Sequence, residues 1–202
     1  MHKLFGGFIL LLIGLLPLQG QNFEGVIKME QEGEAGMRYQ LNWYIKKDQI
    51  AFEVQTKSDP NSLKMRFVPQ PQKNNMLMVI QSEEGQSKKE ISSRDIQADL
   101  GLSNAVIKSE KVRKSVEFGQ LYTLNIETDK FNTEVELVKE IDVDLKKYAA
   151  YLKNDYGIQA LIQTGAKGFP LNSTTYDKYG KLISKTKVLS IVRQKVDDKY
   201  FQ

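Results

Sequence analysis

From residue 23 onward, apolar and polar side chains alternate with a period of two. Between Met37 and Lys46 the odd positions are Met37, Tyr39, Leu41, Trp43 and Ile45, and the even ones are Arg38, Gln40, Asn42, Tyr44 and Lys46. This alternation predicts a strand with one buried and one wet face. Lys47-Asp48-Gln49 supplies a turn. Ile50, Phe52 and Val54 then resume the pattern against Ala51, Glu53 and Gln55, until Asp59-Pro60-Asn61 ends it with turn-forming residues. The same reading places strands near 23–31, 63–68, 76–81, 87–92, 105–117, 121–128, 132–138, 169–176 and 181–193. Connections such as Glu83-Glu84-Gly85-Gln86 and Asp177-Lys178-Tyr179-Gly180 are short, so consecutive strands are expected to pair antiparallel as a meander.

One stretch departs from this period. Leu145, Tyr148, Ala149 and Leu152 fall at i, i+3, i+4 and i+7 with lysines between them, which predicts a one-faced amphipathic helix starting at Asp142 as its cap and ending its first part at Gly157. Ile158, Leu161 and Ile162 predict a further helical turn or two before Gly165. A shorter helical stretch is expected at Ser93–Leu100. Many strands with one late helix imply a mainly β fold with α: a highly curved antiparallel sheet, or unclosed half-barrel, of about eleven strands covered by that helix.

The N-terminus carries a different pattern. His2 and Lys3 precede the apolar run from Phe8 to Leu16, and Pro17-Leu18-Gln19-Gly20 follows before the polar Gln21-Asn22. That order reads as a signal peptide over residues 1–20, cleaved near Gly20, with 21–202 a single β-rich domain carrying a helical insertion near 142–163. An exported protein, periplasmic or extracellular, is the expectation. The apolar run is shorter than the ~20 residues of a membrane span, so no membrane anchor is expected in the mature chain. The chain has no cysteine, which excludes a lipid-modified cysteine and any disulfide. A mature chain of roughly 180 residues is long enough to bury a sizeable core without such staples.

Composition then removes most chemistry. His2 is the sole histidine, so the chain beyond it has no imidazole base, no Ser-His or Cys-His nucleophile pair, and none of the zinc, copper or haem sites that need His or Cys. The formal charge of +4 falls to +3 when Lys3 leaves, and lysines and acids are interspersed as in Lys108-Ser109-Glu110-Lys111. This implies a solvated surface and no nucleic-acid partner. Carboxylates remain: Glu134 and Glu136 share one face of a strand, and Glu140, Asp142 and Asp144 alternate before the helix. Paired carboxylates could hydrolyse a glycoside or hold calcium, but alternate acids on a strand also mark its wet face. No cofactor is implied; Gly165-Ala166-Lys167-Gly168 lacks the spacing of a phosphate loop.

Met76-Leu77-Met78-Val79-Ile80 is apolar at every position, so its strand is either covered on both sides or lines an internal cavity. Such a cavity needs no catalytic residue: burying ten methylenes of an acyl chain contributes roughly 8 kcal/mol before the costs of association.

Several short motifs resemble an exported bacterial family frequent in Bacteroidetes, domain of unknown function 4412. They are Phe23-Glu24-Gly25-Val26-Ile27, Tyr44 to Ile50, Tyr122, Gly168-Phe169-Pro170-Leu171, the turn Asp177 to Gly180, Val188 to Ile191 and Phe201. That family is similar in architecture to periplasmic lipoprotein carriers of the LolA type, an incomplete barrel lined with apolar side chains and covered by helices. The aromatic residue that the family often carries before its late helix is missing from Thr133-Glu134-Val135-Glu136-Leu137-Val138. The leading expectation is a non-enzymatic carrier or sensor whose concave face, including Tyr39, Leu41, Trp43, Phe52 and Met78 as ligand-binding residues, holds a lipid or acyl group beneath the Asp142–Leu152 helix. The alternative is a structural or protein-interaction module of the envelope with a packed interior and an envelope protein as partner. A carboxylate-dependent hydrolase is a third reading.

Overall fold

The computed structural model describes residues 23–33, 36–57, 63–96, 104–116, 118–152 and 155–202. The expected leader therefore lies outside the described residues. Among them are eleven strands: β1 Glu24–Glu32, β2 Arg38–Lys46, β3 Gln49–Thr56, β4 Lys64–Gln70, β5 Asn75–Ser82, β6 Gly85–Ser92, β7 Val106–Ser115, β8 Gly119–Glu127, β9 Phe131–Val138, β10 Phe169–Asp177 and β11 Leu182–Arg193. Each coincides with one of the expected strands. They form one sheet in the order β6-β5-β4-β3-β2-β1-β11-β10-β9-β8-β7, with every pair antiparallel. Two meanders are thus joined where β1 meets β11, and β6 and β7 form the two edges of an unclosed sheet. Pro170 sits within a central strand although it has no N–H to donate. The ladder accommodates it by slipping between Pro170 and Asn172.

The cover over one face of the sheet differs from the expected helix. Residues 142–152 do not form an α-helix: Leu145–Tyr148 is a 3-10 turn capped by Asp144, whose side chain accepts the Lys147 N–H at 3.4 Å. Turns follow, with Tyr151 N–H donating to the Tyr148 carbonyl at 2.9 Å. Of the expected apolar stripe Leu145, Tyr148 and Leu152 are buried and Ala149 is half-buried; Tyr151 joins them, since Leu145, Tyr148 and Tyr151 recur every three residues and a 3-10 repeat sets them on one side. Asp142 is exposed and caps nothing. The α-helix, α1, is Tyr156–Thr164. Asp155 caps it by accepting the Ile158 N–H at 2.9 Å, and Gly165 ends it in the left-handed region at φ 71°. Gly157 therefore belongs to the first turn of α1 and does not end a helix. At Ser93–Leu100, residues 93–95 form a turn. Residues 97–100 lie outside the described residues.

Both faces of the sheet are buried in part. On the first face, Ile27, Met29, Leu41, Trp43, Ile45 and Ile50 pack with Ile141, Leu145, Tyr148 and Ile158 from the cover. Further along the same cover, Ala160 and Leu161 of α1 pack with Leu124, Ile126 and Val135. The opposite face holds a smaller cluster of Val26, Tyr44, Ala51 and Val68, closed by Val196, Tyr200 and Phe201. Tyr44 falls on the face expected to be wet, yet it is buried, because the Tyr200 ring stacks on it with centroids 4.0 Å apart. Lys46 pairs with Asp198 at 2.5 Å, and Glu24 Oε1 accepts the Val196 N–H at 2.8 Å, so the C-terminal segment is strapped down at both ends.

A Cβ at Gly157 would come within 2.7 Å of Ser173 Cβ and Oγ on β10. Gly157→Ala should therefore destabilise the protein by about 1–3 kcal/mol through overpacking, although alanine favours an open helix by about 1 kcal/mol. A urea midpoint below wild type shows the close approach; a midpoint above it shows that propensity wins.

Candidate functional site

Strand register gathers the sequence-derived residues. Trp43 on β2 stands opposite Phe52 on β3, Phe52 opposite Phe67 on β4, and Phe67 opposite Met78 on β5. A second row runs beside it through Leu41, Val54, Met65 and Ile80, and Tyr39 follows on β2. Tyr39, Leu41, Trp43, Phe52 and Met78 thus share the face that the cover overlies, since side chains two residues apart lie on one side. The rings touch. Trp43 and Phe52 centroids are 5.2 Å apart, Phe52 and Phe67 also 5.2 Å, and Phe169 meets Trp43 edge-on at 5.6 Å.

Depth divides this face into two parts. Trp43 and Leu41 are 3 % and 7 % exposed and belong to the packed core. The cavity against Trp43, bounded by Met29, Ile158, Phe169 and Leu171, has a volume of about 10 Å³. That is room for about one water and none for an acyl chain. Beyond the cover, Phe52, Val54, Met65, Phe67, Met78 and Ile80 are only half-buried, and Tyr39 at their margin donates its hydroxyl to the Met37 sulfur at 3.4 Å. Sequence reading missed Val54, Met65, Phe67 and Ile80 as site residues. Their signal is the alternation itself, once register sets each beside a named neighbour.

A second missed feature lies on the same face of β9–β11. Thr133, Thr175, Ser173, Ser184 and Thr186 are all buried. Thr133 and Thr175 hydroxyls share a hydrogen bond of 3.1 Å, and Gln31 Nε2 donates to Ser184 Oγ at 3.5 Å. Ser173, Thr186 and Asp155 border the small cavity. Burial pushes the Asp155 carboxyl above the ordinary aspartate range, and the N–H groups of Ile158 and Gly157 pull it partly back.

Of the carboxylate candidates, Glu136 and Asp144 serve structure, and Glu134 is exposed. Arg113 on β7 donates from Nε to Glu136 Oε1 at 3.0 Å, and Asn172 Nδ2 on β10 donates to Oε2 at 2.5 Å. Glu136 therefore ties three strands together. Glu140 and Asp142 are exposed, and Asp144 is spent on its turn. Among the described residues no group of three or more His, Cys, Asp or Glu converges as a metal cage, and no helix is long and apolar enough to cross a membrane.

No family model matches the chain, and no curated protein does. Solved structures resemble it at low identity. An uncharacterized conserved protein from Thermus thermophilus aligns with a TM-score of 0.46 and 12% identity over 87% of this chain and 83% of its own. MucB aligns at 0.45 and 10% over 89% of this chain and 57% of its own. A putative outer membrane lipoprotein-sorting protein domain from Vibrio parahaemolyticus aligns at 0.38 and 10% over 91% of each chain. Likenesses this weak carry no functional argument. The unclosed antiparallel sheet is established by this chain's own strand pairing.

The Asp155 shift has a defined sign. A carboxyl whose folded pKa is raised stabilises the fold fully below its unfolded value of ~3.9, and that contribution is lost as pH rises through the folded value. Asp155→Asn keeps the cap without the charge, so the stability of wild type relative to this variant should fall as pH rises from below the unfolded value through the raised folded one. Asp155→Ala should lie about 0.5–2 kcal/mol below Asp155→Asn throughout. Urea unfolding across that range measures both. A pH-independent gap between wild type and Asp155→Asn contradicts the shift.

Proposed function

We propose that this protein binds an apolar ligand, a lipid or acyl group, without transforming it, as a carrier or sensor in the cell envelope. The observation that carries this reading is the half-buried apolar surface of Phe52, Val54, Met65, Phe67, Met78 and Ile80, contiguous across three strands beyond the cover. Tyr39 sits at its margin, and Leu41 and Trp43 form its floor at the packed end. A ligand lies along the Phe52–Phe67–Met78 row and does not insert beside Trp43, where the space is filled. Export to the periplasm or the exterior, by the leader ending near Gly20, and membership of the exported family of unknown function belong to the same proposal. The absence of imidazole and thiol after His2, and the structural use of Glu136, favour binding over catalysis.

A second reading is a structural or protein-interaction module of the envelope. The filled interior at Trp43 favours it, as do the edges β6 and β7, which have no outer partner among the described residues and where a partner strand could add.

Gentle purification followed by native mass spectrometry and solvent extraction should recover an acyl-bearing species. Trp43 is the only tryptophan, so its emission reports binding of an added fatty acid directly. Met78→Asp and Phe52→Asp should each weaken that binding at least about tenfold, close to 1.4 kcal/mol. No recovered lipid and no response of Trp43 to fatty acid would overturn this reading. Retention of an envelope protein, lost when β6 or β7 receives a proline, supports the second.

A further inference from the structure

The opposite face of the sheet carries a different site. Glu53, Arg66, Val79 and Lys88 form one cross-strand row over β3–β6, and Lys64, Gln81 and Gln86 lie beside it. With Lys199 and Gln202 of the C-terminal strap they line a depression of about 300 Å³. Four lining side chains are cationic and one, Glu53, is acidic. Positive side-chain charge is therefore in excess by three.

Arg66 has no counter-ion where one is expected. Glu53 stands directly opposite it in the ladder, the favourable position for a cross-strand ion pair, yet no ion pair joins them among the described residues. Glu53 accepts instead from Asn42 Nδ2 at 3.3 Å. The Arg66 guanidinium lies over the Tyr200 ring, 5.6 Å from its centroid, and its buried Nε has no hydrogen-bond partner. A charged donor out of water and without an acceptor is unfavourable, and an anion beside the guanidinium reduces that cost. Lys64 and Lys88 are exposed on either side, with no carboxylate partner among the described residues; Lys199 is shared with Asp197 at 3.4 Å.

We propose that this depression binds a phosphate-bearing ligand, with Arg66 as the planar fork that receives the phosphate and Lys64 and Lys88 as flanking charges. The volume exceeds what a bare phosphate fills, so the ligand carries a further polar group. A soluble phosphate ester and a phospholipid headgroup present the same chemistry. The site is on the other face from the apolar surface, so the two proposals stand or fall separately.

Two probes distinguish the sources at about 0.1 M salt, where surface charges alone are largely screened. Inorganic phosphate is titrated while amide chemical shifts are followed, and flotation is measured with vesicles of phosphatidylglycerol or of phosphatidylcholine. Saturable shifts with phosphate assign the site to free phosphate groups; flotation with phosphatidylglycerol alone assigns it to a headgroup. In either case Arg66→Gln should weaken binding at least about tenfold, and Lys185→Gln, which removes one exposed charge on β11, should change it less than about twofold. Trp43 emission and thermal unfolding check that the variants fold. If Arg66→Gln does not fold, the exposed double variant Lys64→Gln/Lys88→Gln carries the test with the same tenfold expectation. Binding of neither probe, or equal losses in the β11 control, overturns the proposal.

Discussion

The pairing of β1 with β11 is the contact on which the rest of the molecule depends. Every other ladder joins strands that follow one another in the chain or flank the inserted cover. This one brings the start of the described chain against its end, from Gly25 with Arg193 to Glu32 with Lys185. Without it there are two meanders, β1–β6 on one side and β7–β11 on the other, each with an apolar face too broad to bury alone. Closing so long a loop costs conformational entropy, offset only when the joined sheet lets both halves share one core. The C-terminal strap extends this contact: Val196 returns to Glu24, and Asp198 reaches Lys46.

Once the halves are joined, the cover between β9 and β10 cannot reach the whole face. Leu145, Tyr148 and Tyr151 lie over the middle strands, and the Tyr148 hydroxyl donates to the Asp48 carbonyl in the β2–β3 turn. Helix α1 lies over β9 and β10, close enough that Gly157 meets Ser173. Packing is complete there, down to a 10 Å³ void. The outer part of β3–β5 keeps apolar side chains half-exposed, and this unevenness distinguishes a candidate binding surface from a core. The buried hydroxyls of β9–β11 give the packed half a polar seam in which Thr133 bonds Thr175 and Ser184 accepts from Gln31 of β1.

The strands were legible because a pleated, one-side-buried strand writes its period into the residues. All eleven expected strands, from Glu24 to Arg193, are strands in the fold, and those joined by short turns are antiparallel neighbours. The cover was legible in its apolar stripe but not in its helix type. Leu145, Tyr148 and Leu152 satisfy a 3.6-residue repeat, while Leu145, Tyr148 and Tyr151 satisfy a three-residue repeat equally well; the link from Tyr148 to Asp48 is made across the fold. Tyr44 was read as wet because nothing local announces that Tyr200, far along the chain, stacks on it.

What the sequence alone determined is therefore the strand set, the parity that places Tyr39, Leu41 and Trp43 on one face of their strand and Phe52 on the apolar face of the next, and the removal of imidazole and thiol chemistry beyond His2. Those are local or compositional properties. Only the tertiary structure decided that Trp43 and Leu41 are packed while Phe52, Phe67 and Met78 remain partly open, and that Arg66 lies against Tyr200 without pairing to Glu53. Alternation records that a side chain avoids water. It does not record what covers that side chain, because the covering residues come from distant parts of the chain.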